Sequence, residues 1–364
     1  MRYFIIAGEA SGDLHGSNLI KSLLQVDTAA DIYFWGGDLM QAQGGQLLQH
    51  YKETSFMGFV EVAKNIKTIW GLFRKCKAQI TELVPDVIIY IDYPGFNLRM
   101  AKWSSDRSIK SVYYISPQIW AWKASRIELL KECIDKIFVI LPFEPTYYKD
   151  RDVEVSYHGH PLIEVKNNYK ADPSFSKKYE DKKVIALLPG SRKQEIKNHL
   201  PLMSSLGEAF PDYTFIVAAR TSIEHSFYKK YSTASKNIKF ESDSTYDLLQ
   251  IASYAIVASG TATLECAIFN VPQIVVYKGN TLSYSIAKRI IKVEYISLVN
   301  LIADREIVKE LIQSEFTKGN LIKELKKLES ESEPISSCNE LISKLGKGAT
   351  SINVAKEIFA TFLS

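Results

Sequence analysis

Residues 1–24 read MRYFIIAGEASGDLHGSNLIKSLL, an apolar run followed by a glycine-rich turn and a stretch of helical periodicity. The apolar run Tyr3–Ala7 is continuous rather than alternating, which is typical of a strand buried on both faces of a parallel sheet. A helical stretch from about His15 to Leu24 follows the turn. This order of strand, turn and helix predicts an α/β protein built around a parallel sheet.

The same pattern recurs through both halves of the 364-residue chain. Further apolar runs predict strands at 32–35, 87–91, 112–115, 137–140, 184–188, 214–218, 254–258 and 273–277. Between the halves, residues 164–183 are polar and lack periodicity, which predicts a linker. We therefore expect two doubly wound domains, at 1–165 and 166–344, with a cleft between them and ligands beyond the carboxyl ends of the strands. The charged tract 318–333 is predicted as a solvated helix and loop, and the apolar segment 351–362 as a helix that packs on a domain.

Composition excludes several classes of protein. A net charge of +4 is too weakly basic to indicate nucleic-acid binding, so we expect no nucleic-acid partner. The four cysteines lie far apart and form no CxxC pair, which predicts reduced thiols rather than disulfides or a zinc site. We also expect no secretion signal and no membrane span, because no apolar run approaches about 18 residues.

The first motif with chemical potential is GEASGD at residues 8–13. Glycines at positions 8 and 12 would let the backbone approach a ligand, and the helix start next to Ser11 offers free N–H groups. We therefore place Gly8, Ser11 and Gly12 in a ligand-binding loop. The alternative is a tight turn in which Ser11 or Asp13 caps the helix.

The second motif is Asp92 in IDYPGFN, residues 91–97. A carboxylate that closes a strongly apolar strand lies at the rim of its domain, where partial burial would raise its pKa and make it a better proton acceptor. The alternative is an ordinary Asx-turn residue ahead of Pro94-Gly95. The position of Asp92 alone favours neither interpretation.

Two motifs of the second half also follow predicted strands. In PGSRKQEI, residues 189–196, Arg192 stands at a helix start and could hold a diphosphate, or it could pair with Glu195 on the surface. In SGTATLE, residues 259–265, small and hydroxyl residues suit a phosphate, and the acidic residue one turn later suits a ribose. The residues concerned are Ser259, Gly260, Thr261 and Glu265, and the alternative is a plain helix cap. The two motifs together indicate a nucleotide-sugar on the second domain, with the acceptor on the first.

Three other features remain open from the residues alone. Residues 56–80 form a basic amphipathic stretch that could lie in a membrane interface or pack on a sheet. Its apolar face comprises Phe59, Val62, Ile66, Ile69, Trp70 and Phe73. Trp120 and Trp122 could stack on a ligand or acyl chain, or pack inside the protein. His158 and His160 favour a structural or substrate-contacting turn over a metal site, since no suitable acidic or cysteine cluster accompanies them.

The joint order and spacing of these motifs closely resemble the lipid-A-disaccharide synthase family. The matching segments span nearly the whole chain and are GEASGD, FMGFVEV, IDYPGFN, SPQIWAWK, GHPL, PGSRKQEI, SGTATLE and VNLIADREIVKELIQ. The resemblance implies a GT-B-type fold with two Rossmann-like domains, and a C-terminal helix at about 345–364 that returns to the N-terminal domain. It also implies an inverting hexosyltransferase of lipopolysaccharide biosynthesis. Such an enzyme joins UDP-2,3-diacylglucosamine to 2,3-diacylglucosamine 1-phosphate, giving the β-1,6-linked lipid A disaccharide 1-phosphate and UDP.

The resemblance assigns roles to particular positions. Asp92 matches the proposed catalytic aspartate, Arg192 and Asn300 match positions implicated in activity or UDP binding, and Glu265 matches an acidic residue near the ribose. Residues 57–80 match a membrane-associating patch, which implies a cytoplasmic protein held peripherally at the inner face of the inner membrane.

We expect no metal and no other cofactor, and the family allows a homodimer. Tyr93 and Gly95 replace a small and an acidic residue of many relatives, so no role is assigned to them.

Other functions fit the same motifs. One alternative is a UDP-sugar epimerase, or a GT-B transferase with a soluble acceptor, for which the apolar stripe would not matter. Another is a nucleotide-sugar sensor without turnover, which would need Arg192 and Glu265 but not Asp92.

Overall fold

The computed structural model describes residues 1–53, 66–121, 125–279, 294–330 and 334–363. Contacts divide the chain into two compact units. The first unit comprises Met1–Glu164 together with Gly346–Ser364, and the second comprises Val165–Leu345. Each unit is built around one parallel sheet.

Within the described residues, the sheet of the first unit has seven strands in the order β3-β2-β1-β4-β5-β6-β7. They are β1 (Arg2–Ala7), β2 (Asp31–Gly36), β3 (Gln46–His50), β4 (Val87–Ile91), β5 (Ser111–Tyr114), β6 (Lys136–Val139) and β7 (Ser156–Tyr157). The described part of the second unit has six strands in the order β10-β9-β8-β11-β12-β13. They are β8 (Lys183–Leu188), β9 (Tyr213–Ala219), β10 (Ile238–Ser242), β11 (Ala252–Ala258), β12 (Gln273–Tyr277) and β13 (Lys309–Ile312).

Helices connect the strands in both units. Those of residues 1–168 are α1 (Ala10–Val26), α2 (Asp38–Gln41), α3 (Ile66–Leu83), α4 (Pro94–Ser105), α5 (Arg126–Cys133), α6 (Glu144–Lys149) and α7 (Pro161–Asn168). Those that follow are α8 (Pro173–Lys178), α9 (Lys193–Ser204), α10 (His225–Tyr231), α11 (Thr245–Ile251), α12 (Thr261–Ile268), α13 (Leu298–Ala303), α14 (Lys318–Ser330), α15 (Pro334–Lys344) and α16 (Thr350–Phe362). Short 3₁₀ turns at Tyr51–Glu53 and Ser205–Glu208 complete the described elements.

The predicted linker is wrong in its detail. Much of residues 164–183 is helical, in α7 and α8, and the boundary between the units falls inside α7. Asp172 caps α8 by accepting the Ser174 N–H at 2.8 Å, and Phe175 is buried. Polar composition concealed these elements because each helix is short and contributes few buried side chains.

The strands of the first sheet are apolar on both faces because both faces are covered. In β4 every residue is fully buried. Ile88 and Tyr90 belong to one core cluster, whereas Ile89 and Ile91 belong to a second cluster on the opposite face. Burying each of these side chains contributes about 1.5–3 kcal/mol, so the continuous apolar run is the main source of the strand's stability.

The C-terminal helix α16 packs on α1 in the first unit, as the resemblance implied. Val354, Ala355 and Ile358 join the core cluster that contains Ile89. On its polar side, Glu357 forms an ion pair with Lys136 at 2.6 Å and accepts further hydrogen bonds from Ser156 and His158. Partial burial raises the pKa of Glu357, but the bonds from these partners lower it by more, so that it falls to about 2.

Candidate active site

The strand order reverses beside β1 in the first sheet and beside β8 in the second, and such switch points are where doubly wound sheets bind ligands. In the first sheet, Ala7 at the end of β1 pairs with Ile91 at the end of β4. The GEASGD loop and Asp92 therefore emerge side by side from neighbouring strands. Two motifs that are far apart in sequence meet at one edge of the sheet.

The backbone at Asp92 takes a conformation that is uncommon for residues other than glycine. Asp92 and Tyr93 have φ angles of 43° and 49°, in the left-handed region. The Asp92 N–H donates to the Tyr114 carbonyl at 3.1 Å. The Asp92 carbonyl in turn accepts from the Tyr113 hydroxyl and from the Asn97 amide, each at 2.7 Å. This network holds the backbone of Asp92 in the left-handed conformation, a kind of strain that clusters at functional sites.

The Asp92 carboxyl group has a strongly perturbed pKa. Burial raises the pKa of Asp92 to about 6, the nearby Glu9 carboxylate adds to the rise, and a hydrogen bond from the Tyr93 backbone N–H opposes it. A carboxylate of this kind is a better proton acceptor than an exposed one and is still ionised near neutral pH.

The GEASGD loop packs directly against the residue after Asp92. A Cβ atom on Gly8 would lie 2.3 Å from the Tyr93 ring, so only glycine fits there. Glu9, rather than Ser11 or Asp13, is the N-cap residue of α1, and the capping alternative is wrong. Asp13 instead accepts the N–H group of Gly37, which follows β2, at 2.7 Å, and the N–H groups of Leu39 and Met40 in α2. Ser11 is exposed in the first turn, and Gly12 is buried against Ala7.

Asp92 lines a cavity of about 260 Å³ in the first unit. Its walls come from the ends of β4 and β5 and from the starts of the helices that follow them. The lining residues are Asp92, Pro94, Ile115, Ser116, Pro117, Gln118, Ile119, Arg126 and Ile140. The cavity thus combines one acidic and one basic group with mostly apolar walls, as small-molecule sites commonly do.

Sequence reasoning missed Glu144, which bonds to the backbone of Ile140, one of the residues that line the cavity. This side chain is fully buried and accepts the N–H groups of Ile140 at 3.0 Å and Leu141 at 2.8 Å. The indole of Trp120 donates to the other oxygen at 3.1 Å, so Trp120 packs inside the unit, whereas Trp122 lies outside the described residues. Burial raises the pKa of Glu144 to about 7 despite these bonds.

In the second unit, Leu188 of β8 pairs with Val257 of β11, so the PGSR and SGTAT turns also emerge together. Arg192 is the N-cap residue of α9, and its guanidinium lies 3.0 Å from Glu195 with more than half of the side chain exposed. The other Glu195 oxygen accepts the N–H groups of Ser191 and Arg192. The surface pair considered from sequence is therefore present, and the guanidinium remains more than half exposed at this helix start.

The SGTAT turn is not a plain capping box. Gly260 is the N-cap residue of α12 with a φ of 153°, and it makes no side-chain cap. The Ser259 hydroxyl donates to the Ile296 carbonyl at 2.7 Å, and Thr261 is exposed at the helix start. Glu265 accepts the Tyr246 hydroxyl at 2.9 Å, and burial raises its pKa.

Asn300 is buried and its hydrogen-bonding capacity is filled by the protein. Its amide donates to the Val308 carbonyl at 2.8 Å and to Glu310 at 2.9 Å, and its oxygen accepts the N–H groups of Ile307 and Val308. Glu310, which sequence reasoning missed, also accepts bonds from Ser297 and the Ile296 N–H. Asn300 therefore organises the segment that touches Ser259 rather than offering its amide to a ligand.

His199 is a third residue that sequence reasoning missed. The Lys278 N–H donates to Nε2 at 3.0 Å, so Nδ1 carries the proton and donates to the Pro189 carbonyl at 2.9 Å. Burial lowers the pKa of His199, which keeps this bridge neutral. Through these two bonds, His199 connects the loop that contains Arg192 with the residue that follows β12. Its place two helical turns beyond Arg192 is the only sequence signal for this role.

The histidine turn has a structural role in the first unit. His158 bonds to Glu357 of the C-terminal helix, and buried His160 accepts the Leu162 N–H at 3.2 Å. Burial lowers the pKa of His160 to about 3. Among the described residues, no cluster of three histidine, cysteine or acidic side chains could hold a metal.

The amphipathic stretch is described only from residue 66 onwards, so Phe59 and Val62 lie outside the described residues, as does the Ile66 side chain. In α3, Ile69 is half-buried and Trp70 is 68% exposed. Phe73 stacks on Phe96 with ring centroids 4.4 Å apart, so it faces the core of the unit. None of the described helices combines the length and hydropathy needed to traverse a bilayer.

Comparison with solved structures defines the class of fold. The chain resembles UDP-GlcNAc 2-epimerase from Neisseria meningitidis, with a TM-score of 0.69 and 12% identity over 99% of this chain and all of the other. It also resembles the calicheamicin glycosyltransferase CalG4, with a TM-score of 0.62 and 14% identity over 100% and 98% of the two chains. Two parallel α/β sheets with a C-terminal helix on α1 thus form a GT-B-like fold.

Sequence comparison defines the family. The model of the family described as lipid-A-disaccharide synthetase matches residues 3–358. Lipid-A-disaccharide synthase of Geobacter metallireducens is 35% identical over 89% of this chain and 86% of its own length. Lipid-A-disaccharide synthase 1 of Legionella pneumophila, strain Paris, is 36% identical over 98% and 96% of the two chains. The chain belongs to the lipid-A-disaccharide synthase family and is a glycosyltransferase of lipid A biosynthesis.

Proposed function

We propose that the enzyme transfers 2,3-diacylglucosamine from UDP-2,3-diacylglucosamine to 2,3-diacylglucosamine 1-phosphate. The products are the β-1,6-linked disaccharide 1-phosphate and UDP, within lipopolysaccharide biosynthesis. The observation that carries the proposal is Asp92, a half-buried carboxylate at the switch point of the first sheet, which has a pKa of about 6 and lines a cavity. A sensor without turnover would not need a proton acceptor of this kind.

In the proposed mechanism, Asp92 takes the proton of the acceptor 6-hydroxyl as that oxygen attacks the anomeric carbon of the donor. The new carbon–oxygen bond forms on the face opposite UDP while the bond to the UDP oxygen breaks. A single displacement therefore inverts the anomeric configuration. General-base catalysis of this kind contributes about 10²–10⁴-fold to the rate.

The second unit supplies groups suited to the departing UDP. The start of α12 offers backbone N–H groups near Gly260 and Thr261, and Arg192 offers an exposed guanidinium at the start of α9. We assign the diphosphate to these groups and the ribose to Glu265, with Ser259 and Asn300 as positioning residues. Preorganised donors can stabilise the charge that develops on UDP, so the mechanism includes no divalent metal and no other cofactor.

The direct test is product formation from radiolabelled UDP-2,3-diacylglucosamine and detergent-dispersed acceptor. We expect a labelled disaccharide 1-phosphate with β configuration, formed equally well after exhaustive chelation. Release of UDP without disaccharide, or product of α configuration, would contradict the proposal. Turnover that collapses on chelation and returns with Mg²⁺ would contradict its metal-free form.

We further propose that the enzyme acts in the cytoplasm while bound peripherally to the inner face of the inner membrane, where lipid substrates reside. The family allows a homodimer. Trp70 supports the proposed membrane contact, because its side chain is 68% exposed on α3 and the same helix carries the exposed basic residues Arg74 and Lys75. Indole rings favour the membrane interface, and basic residues favour anionic lipids. Phe59, Val62, Ile66 and Ile69 are proposed to extend this surface, whereas Phe73 anchors the helix to the core.

Replacing Trp70 by glutamate should weaken binding to anionic vesicles by about tenfold or more, because apolar area is lost and a repelled charge is gained. Vesicle co-sedimentation of the whole protein measures the effect. Leu363→Glu is the matched control, because Leu363 is also a large exposed apolar residue, at 62%. Equal binding by wild type and Trp70→Glu would contradict the proposed surface.

A further inference from the structure

The cavity beside Asp92 has a second charged wall that the proposed mechanism leaves unused. Arg126, the first residue of α5, lines the same cavity as Asp92. Among the described lining residues, these two are the charged side chains, and the remainder are apolar or neutral. A carboxylate and a guanidinium on one small cavity suit a ligand that carries a hydroxyl at one end and an anion at the other.

Tyr113 links the two charged groups, because it bonds to the backbone of Asp92 and its pKa responds to Arg126. The Tyr113 hydroxyl donates to the Asp92 carbonyl at 2.7 Å. Burial and Asp92 raise the pKa of Tyr113, whereas the positive charge of Arg126 opposes that rise. Both charges therefore act on Tyr113, and both side chains line the same cavity of about 260 Å³.

The size of the cavity limits what it can hold. Its volume of about 260 Å³ lies just below the range of about 300–1,000 Å³ typical of sites for drug-sized ligands. That is room for one sugar ring with a small substituent and too little for acyl chains as well. In the acceptor, C1 carries the phosphate and C5 carries the CH₂OH group that bears the 6-hydroxyl. Both groups therefore belong to one sugar ring, on the two carbons that flank its ring oxygen.

We propose that Arg126 binds the anomeric phosphate of the acceptor and so selects the phosphorylated sugar. This inference rests on the proposed function, since it takes Asp92 as the group that faces the acceptor hydroxyl. A guanidinium matches the geometry of a phosphate and forms charge-assisted hydrogen bonds with it. The phosphate orients the ring, and the primary hydroxyl is thereby directed to the carboxylate.

The test compares Arg126→Gln with wild type on two acceptors, 2,3-diacylglucosamine with and without its 1-phosphate. We expect Arg126→Gln to raise KM for the phosphorylated acceptor about tenfold or more, since hydrogen bonds to charged groups are the stronger class. KM for the UDP-sugar and turnover of the unphosphorylated acceptor should match wild type. Arg126→Lys should recover part of the loss, and Lys131→Gln, which removes an exposed charge from the same helix, should behave as wild type.

Three outcomes would overturn the inference. Equal losses on both acceptors would make Arg126 a structural residue, a raised KM for the donor would assign it to the UDP diphosphate, and unchanged kinetics would remove it from the site. Wild-type enzyme that forms no disaccharide from either acceptor would overturn the proposed function itself, and this inference with it. If wild type forms the disaccharide and Arg126→Gln affects both acceptors equally, the proposed function stands and only this inference is overturned.

Discussion

Asp92→Asn should lower kcat by about 10²–10⁴-fold, because asparagine cannot accept the proton of the acceptor hydroxyl. The substitution should leave the fold intact for two reasons. The φ of 43° at this position is one that asparagine tolerates well. The bonds that fix the residue to Tyr114, Tyr113 and Asn97 use its backbone N–H and carbonyl rather than its carboxylate.

Steady-state kinetics with saturating donor and acceptor measures the effect, and thermal unfolding of the same samples checks the fold. Asp106→Asn is the matched control, because it removes an exposed carboxylate at the end of α4 in the same unit. We expect Asp106→Asn to turn over as wild type. Near-full turnover by a folded Asp92→Asn variant would remove Asp92 from the role of base.

Arg192→Ala should lower kcat/KM for the UDP-sugar by about 10²-fold and weaken inhibition by UDP in parallel. Removing a preorganised donor that faces developing charge typically costs about 10²–10³-fold. The side chain is more than half exposed in its pair with Glu195, so the protein itself loses little stability. The loss should therefore appear in donor kinetics and not in the unfolding temperature.

Lys193→Ala provides the control for Arg192, since it removes the same charge from the next residue, at the start of the same helix. A smaller effect of Lys193→Ala would show that the position of the guanidinium matters and not only the net charge. Equal effects of the two substitutions would contradict a specific diphosphate contact at Arg192. A change in KM for the acceptor with donor kinetics untouched would also contradict it.

The inner strands of both sheets were predictable because burial on both faces demands continuous apolar runs. Val87–Ile91 and Gln273–Tyr277 form strands with the predicted bounds. Four outer strands were missed, namely β3, β7, β10 and β13. Outer strands are partly solvated, so sequences such as IKFES in β10 mix polar and apolar residues and lack the apolar signal.

The site was predictable where a motif follows a strand, and not where a side chain acts across the fold. Asp92 and the glycine-rich turns could be found because parallel strands bring their carboxyl ends to one edge. Glu144, His199 and Glu310 could not, since each is defined by a bond to another segment: to the Trp120 indole, to the Pro189 carbonyl and to the Ile296 N–H, respectively. Asn300 shows the same limit. Its position in the sequence gave no sign that its amide nitrogen and oxygen are fully hydrogen-bonded within the protein.

The most direct test of Asp92 as the catalytic base is the pH dependence of kcat/KM for wild type and Asp92→Asn. The base must be ionised to accept a proton, so activity should be full above its pKa and fall as pH drops through about 6. We expect wild type to show this acidic limb and the residual activity of Asp92→Asn to lack it. The same limb in both proteins would assign the titration to another group and contradict the assignment of Asp92.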